Sequence, residues 1–381
     1  MRKWDAGKLQ RVLSERMRAD IASCEIGGAM ALVSQDGREL CRVVEGLADV
    51  EAGVKLRDDH IFLLASMTKV VTAAAVMREW QRGALSLGDA VADYLPAYRH
   101  MTVGKLDEAG RAVPDHPAQT TLTIRHLLTH TCGVNSGPVG NAQWEAAPPE
   151  VFETETTLVD HFATTLLDFE PGSAMAYSGI GGLDIAARIV EITSGMAIEE
   201  YLAEHIFVPL GMRDTTYTPT DAQLARLVRM HDCVEGKSVS LPVVEHRVLG
   251  MPPSLHSGSA SLMGTADDYL HFAEMWANAG RYAGQQVLDV STVAVSASGW
   301  LPHDLPGLWP GMNWSAGMYV RHAGVLTPGS FGWSGAFGTH FWADPANRLA
   351  AVYMRNSAQA NGAGAATAAR FEADVMSCAL D

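Results

Sequence analysis

The sequence predicts an α/β (α+β) fold: one antiparallel sheet built from both ends of the chain, flanked by helices, with a mainly helical domain inserted between its two halves. Three observations carry this. Two apolar runs near the N-terminus, Ala29 to Ser34 and Glu39 to Val44, flank Asp36-Gly37, a strong short-range hairpin signal. Strand signals return near the C-terminus at Ala316 to Arg321, Gly338 to Ala343 and Arg348 to Met354. Between them, from about Ser86 to Tyr177, strand signals are sparse and helical patterns prevail. The expected division is residues 1–76 with 188–381 as a discontinuous sheet domain, and 77–187 as the helical domain, with a cleft between them.

The elements follow in order. Leu9, Val12, Leu13, Met17 and Ile21 recur at helical spacing, so residues 5–22 form an amphipathic helix that Gly27-Gly28 ends. After the hairpin, residues 47–60 are a polar connection. From Val70 to Arg82 the chain reads as a helix with a broad apolar surface, stopped by Gly83. Ile124 to Leu128 is a short helix that ends at Cys132-Gly133. Residues 133–151, rich in Gly, Pro, Asn and Ala, read as a long loop of the kind that serves as a lid or binding surface. Helices are expected over Thr157 to Leu167, Gly181 to Ser194, Glu199 to Phe207 and Thr265 to Ala279. Residues 234–258 read as loop, and 298–314, with Trp300, Trp309 and Trp314, show no periodicity. A helix from about Ala363 to Cys378 ends the chain.

Composition narrows the function. The 381 residues are 48% hydrophobic and 19% charged, as in an ordinary globular protein. A formal charge of −15 argues against nucleic acid or an anionic membrane as partner. The five cysteines are scattered and none forms C-x-x-C, which argues against a disulfide framework or a zinc knuckle. Met1 to Arg18 is mixed and charged rather than an apolar leader, and no apolar run reaches the roughly 18 residues of a membrane span, so a cytoplasmic protein is expected. No glycine fingerprint for a nucleotide is present, and no cofactor is expected.

Three short stretches carry chemistry. Ser66 and Lys69 form S-x-x-K at the start of a helix, and residues three apart share a helix face. A hydroxyl, an amine and the free N–H groups of a helix start are the parts of a serine acyl-transfer site. The second stretch is Tyr177-Ser178-Gly179, just before a helix. The third is Gly332-Trp333-Ser334-Gly335-Ala336, whose small residues let a substrate lie close to the backbone.

This ordered set resembles the serine β-lactamase and penicillin-binding superfamily, and most closely its class C-like branch with the family VIII carboxylesterases. Thr123 to Thr131, Pro209 to Thr215, Ala266 to Tyr269 and Phe341 to Pro345 are similar to that family's scaffold segments. The resemblance implies a β-lactamase-like fold with Ser66 as nucleophile and Lys69 and Tyr177 together as its base. It also implies an oxyanion hole from the N–H groups of Ser66 and Ala336, and substrate contacts from Trp333, Ser334, Gly335 and Gly179. Two departures matter: Gly179 stands where class C β-lactamases have asparagine, and Trp333 where they have the lysine of K-T-G. Loss of a cation that binds carboxylate favours small uncharged esters of short to medium acyl chain. The alternatives are a β-lactamase, a D-aminopeptidase-type amide hydrolase, a small-molecule acyltransferase and, from another class, a non-catalytic binding module.

Rival motifs are weaker. No G-x-S-x-G elbow exists; the nearest stretch, 332–336, ends in alanine. His126 and His130 are four apart, but the zincin glutamate and a third ligand are lacking, so no metal is expected. His340 reads as an inward strand residue and Cys132 as a buried spacer.

Overall fold

A computed structural model describes residues 1–241, 252–358 and 366–380. Its main sheet has eight strands: β1 (Gly28–Gln35), β2 (Arg38–Asp49), β3 (Val54–Lys55), β4 (Met312–Trp314), β5 (Tyr319–Arg321), β6 (Phe331–Ser334), β7 (His340–Asp344) and β8 (Leu349–Met354). The order is β4-β5-β6-β7-β8-β1-β2-β3, antiparallel throughout. The two chain ends meet at β8 and β1, with Met30 opposite Met354 and Gln35 opposite Leu349.

Both faces of the central strands are covered, so β1, β6, β7 and β8 are buried at every position rather than alternating. On one face lies the helix Ala266–Ala277 (here αC), whose Tyr269 and Trp276 rings meet Phe341 and Phe331. On the other lies the last helix, Ala366–Ser377 (αD), whose Phe371 packs on Trp342 and Tyr353. The N-terminal helix Ala6–Ala22 is capped by Asp5, which accepts from the Lys8 N–H, and buries Leu9, Leu13 and Met17.

The helix that follows Ser66 (αA, Thr68–Gln81) is buried continuously from Thr68 to Met77. A helix apolar all round belongs in a core. The helix Gly182–Ser194 (αB) packs against it and ends at Gly195 in the left-handed conformation.

Several expectations need correction. Residues 133–151 are not a plain loop: Pro138–Ala146 is a helix and Pro149–Phe152 a 3₁₀ turn. Pro138 sits at the first helical position, where its missing N–H costs nothing. The helix expected over 157–167 runs Glu155–Phe162, started by a Thr154 cap. The mainly helical stretch holds a hairpin, Thr102–Leu106 with Ala112–Pro117. Strand β6, which carries Trp333, also went unforeseen. Cys24 and Cys233 are disulfide-bonded, 5.7 Å apart at Cα, a single bridge that the scattered spacing, read as arguing against a disulfide framework, does not signal. Cys41, Cys132 and Cys378 are free and buried, and burial pushes the Cys132 thiol up to about 11, as suits an inert spacer. Parts of the expected 234–258 loop and the first residues of the expected last helix lie outside the described residues. Among the described residues no helix is long and apolar enough to cross a membrane.

Candidate active site

Ser66 sits in a single 3₁₀ turn, Ala65–Met67, at the head of αA. Ala65 is left-handed, with φ 46°. For an alanine this conformation costs roughly 1–2 kcal/mol, and it is held by the surroundings: Leu64 N–H donates to Leu262 O at 3.0 Å, and Tyr269 hydroxyl to Met67 O at 2.9 Å. Ser66 keeps 8% exposure while its neighbours are sealed.

Lys69, one turn on, is completely buried. Its Nζ donates to Gly179 O at 2.6 Å and Ser259 O at 3.0 Å, and lies 3.4 Å from Ser66 Oγ. Two carbonyls use two N–H groups. The remaining tetrahedral position faces Ser66 and holds either a proton or a lone pair, so the amine can give or take the serine proton without moving.

Tyr177 closes the other side, with Lys69 Nζ 5.1 Å from its ring centroid. Trp333 Nε1–H donates to the Tyr177 hydroxyl at 3.2 Å, and the two rings are 5.1 Å apart. Trp333 is itself packed between Trp314 and the half-exposed Trp309. Trp309, Trp314 and Trp333 thus form a continuous aromatic cluster, while Trp300 packs under Arg125 and donates its Nε1–H to Val295 O.

Strand β6 lies against the Ser66 turn. Thr339 Oγ1 donates to Leu64 O at 3.1 Å, and any Cβ on Gly335 would collide with that same carbonyl. The half-buried Ala336 follows in the turn that Gly338 N–H closes on Gly335 O at 3.0 Å. Ser334 points away from this side. Strand alternation puts it on the αD face, where its Oγ meets His340 Nδ1 at 2.7 Å and His340 faces Glu372. Only its backbone is left for a substrate. His340 is accordingly the inward strand residue expected.

A cleft opens beside Tyr177, walled by the 133–151 stretch expected as a lid or binding surface, though the sequence singles out none of its lining residues from that stretch. It has a volume of about 410 Å³ and is lined by Asn135, Ser136, Asn141, Trp144, Tyr177 and Gly179, among others. Its lining holds no Asp, Glu, Lys, Arg or His. The Gly-, Pro- and Asn-rich composition that marks the stretch as a binding surface does not say which of its side chains face the cleft. A Cβ on Gly179 would meet nothing within 4 Å, so its bare backbone leaves open room. His126 and His130 have other partners than a metal: His126 Nδ1 accepts the Thr123 N–H at 3.2 Å, and His130 lies against Tyr177.

A buried S-x-x-K on a helix head, beside an antiparallel sheet built from both chain ends, defines the class of penicillin-binding proteins and related serine hydrolases. Residues 9–374 match the Beta-lactamase family, and the chain belongs to it. It is similar to Esterase EstB of Burkholderia gladioli, 29% identical over 97% of this chain and 94% of the relative. Among solved structures, EstCE1, described as a hydrolase with promiscuous acyltransferase activity, covers 98% of both chains with a TM-score of 0.79 at 22% identity. A family VIII carboxylesterase covers 97% of both with a TM-score of 0.78 at 19% identity. These two likenesses show the fold.

Proposed function

We propose that the chain is a serine carboxylesterase acting on small uncharged esters of short to medium acyl chain. The observation that carries this is Trp333: an indole, hydrogen-bonded to Tyr177, occupies the place of a carboxylate-binding lysine. The family's name does not by itself make this chain a β-lactamase, and the similarity to EstB supports the ester reading.

In this reading Ser66 Oγ attacks the ester carbonyl while its proton passes to the Lys69/Tyr177 pair, which acts as one base. The Ser66 and Ala336 N–H groups receive the oxyanion. The pair returns the proton to the departing alkoxide, leaving acyl-Ser66 and free alcohol. Water then repeats the steps, and an alcohol in its place would give acyl transfer. Trp333, Gly179 and the backbone of Ser334 and Gly335 border the substrate. The division into 1–76 with 188–381 and 77–187 belongs to this reading, with the site in the seam; the meeting of β8 with β1 supports it. A cytoplasmic location also belongs to this reading, and the Cys24–Cys233 disulfide counts against it, because disulfides persist in oxidising compartments. The test is a panel of p-nitrophenyl esters, nitrocefin and D-amino-acid amides: ester hydrolysis should dominate, and preference for nitrocefin or the amides would overturn the reading.

A further inference from the structure

His130 takes no step in the proposed reaction, yet it grips Tyr177 three ways. Its carbonyl accepts the Ala176 N–H at 3.0 Å. Its ring Nδ1 accepts the Ser178 N–H at 3.2 Å. Its ring packs on the phenol with centroids 4.6 Å apart. One fully buried residue thus holds the peptide on both sides of Tyr177 and the ring between. Its backbone is left-handed, φ 56°, a conformation that among non-glycine residues Asn, Asp and His adopt most readily. Trp314 closes its far side, edge-on at 5.0 Å, and continues to Trp333.

A nitrogen that accepts carries no proton, so the imidazole is neutral with its proton on Nε2. A peptide N–H has no alternative role. A proton on Nδ1 would therefore set two donors face to face and open the grip. The groups that face the ring are Lys69 from αA, Tyr177 from the 172–181 segment and the uncharged Trp314 from β4. Burial, helped by the Lys69 charge, holds the imidazole well below its usual range.

We propose that His130 is a positioning residue that sets the Tyr177 phenol against Lys69 and Ser66 through its neutral Nδ1. This rests on the reading of Tyr177 as part of the base. The test compares kcat and KM from pH 4.5 to 8 for His130→Phe, His130→Asn and Tyr177→Phe, with circular dichroism to check folding. Phenylalanine keeps the ring and removes the acceptor; asparagine tolerates the backbone and offers an oxygen near the Nδ1 position. His130→Phe should lose on the order of a hundredfold in kcat with KM little changed, as misplaced catalytic groups do. His130→Asn should recover at least about a tenth of wild-type kcat, with the acid limb of its pH profile displaced. A folded His130→Phe with wild-type kcat, or equal losses in both variants, overturns the proposal. If His130→Phe does not fold, ¹⁵N-histidine NMR decides: a neutral Nε2–H tautomer at pH 6 is expected, and an imidazolium in active wild type overturns it. Full turnover by Tyr177→Phe would instead remove the base assignment, a separate and distinguishable failure.

Discussion

The indole N–H of Trp333 donates to the phenol oxygen of Tyr177 at 3.2 Å. Trp333 is fully buried and brings an apolar surface and a single neutral donor, with no ammonium, beside the phenol. The bond occupies one lone pair of the phenol oxygen and leaves the other free.

Substrate preference follows from that apolar surface. Each buried CH₂ contributes about 0.8 kcal/mol, about fourfold in kcat/KM, until the pocket is full. For p-nitrophenyl esters from acetyl to decanoyl, kcat/KM should rise and then fall, with nitrocefin turned over slowly or not at all. Nitrocefin matching the best ester would make this a β-lactamase.

Gly179 offers a gain-of-function check, since a Cβ there meets nothing within 4 Å. Gly179→Asn should fold like wild type and narrow the ester range. Combined with Trp333→Lys it should raise nitrocefin hydrolysis above that of either single change, read by absorbance at fixed enzyme concentration.

Ser66→Ala should remove roughly a thousandfold or more of the ester turnover while far-UV circular dichroism is unchanged. Mass added by an organophosphate should map to the peptide holding Ser66. Modification at Ser334, whose hydroxyl faces His340 on the other side of the sheet, would refute the assignment.

Lys69→Ala and Tyr177→Phe should each cut kcat severely, and the double variant should be little worse than the poorer single one. Fully additive losses would mean two independent roles rather than one shared proton.

Acid should weaken the fold. Burial holds His60, His126, His130, His231 and His271 below the ordinary histidine range. Below about pH 6.5 the unfolded chain therefore binds more protons than the native one, and stability falls as pH drops. Asp20, Glu155, Asp268 and Glu274 work the other way: burial pushes these carboxyls up, Asp268 to about 6, so their contribution is present at low pH and lost as pH rises through their folded values. With His161 and His205, which burial also lowers, the histidines outnumber these four carboxyls, so Tm should decline from pH 7 to 5. A level or rising Tm would contradict this balance.

The sequence by itself determined what local periodicity can encode. Ser66 and Lys69 lie one helical turn apart because helical geometry dictates it, and Asp36-Gly37 between two apolar runs makes the β1–β2 hairpin. Tertiary structure decided the rest. Strand β6 is buried on both faces and therefore shows no alternation to read, yet it brings Trp333 to Tyr177, 156 residues away in the chain. The helix Pro138–Ala146 has only a modest apolar stripe, and its packing makes it a wall of the cleft. Cys24 and Cys233, 209 residues apart, meet only because their two segments pack together. Such long-range meetings follow from which buried faces cover one another, and a one-dimensional pattern of near neighbours does not contain that information.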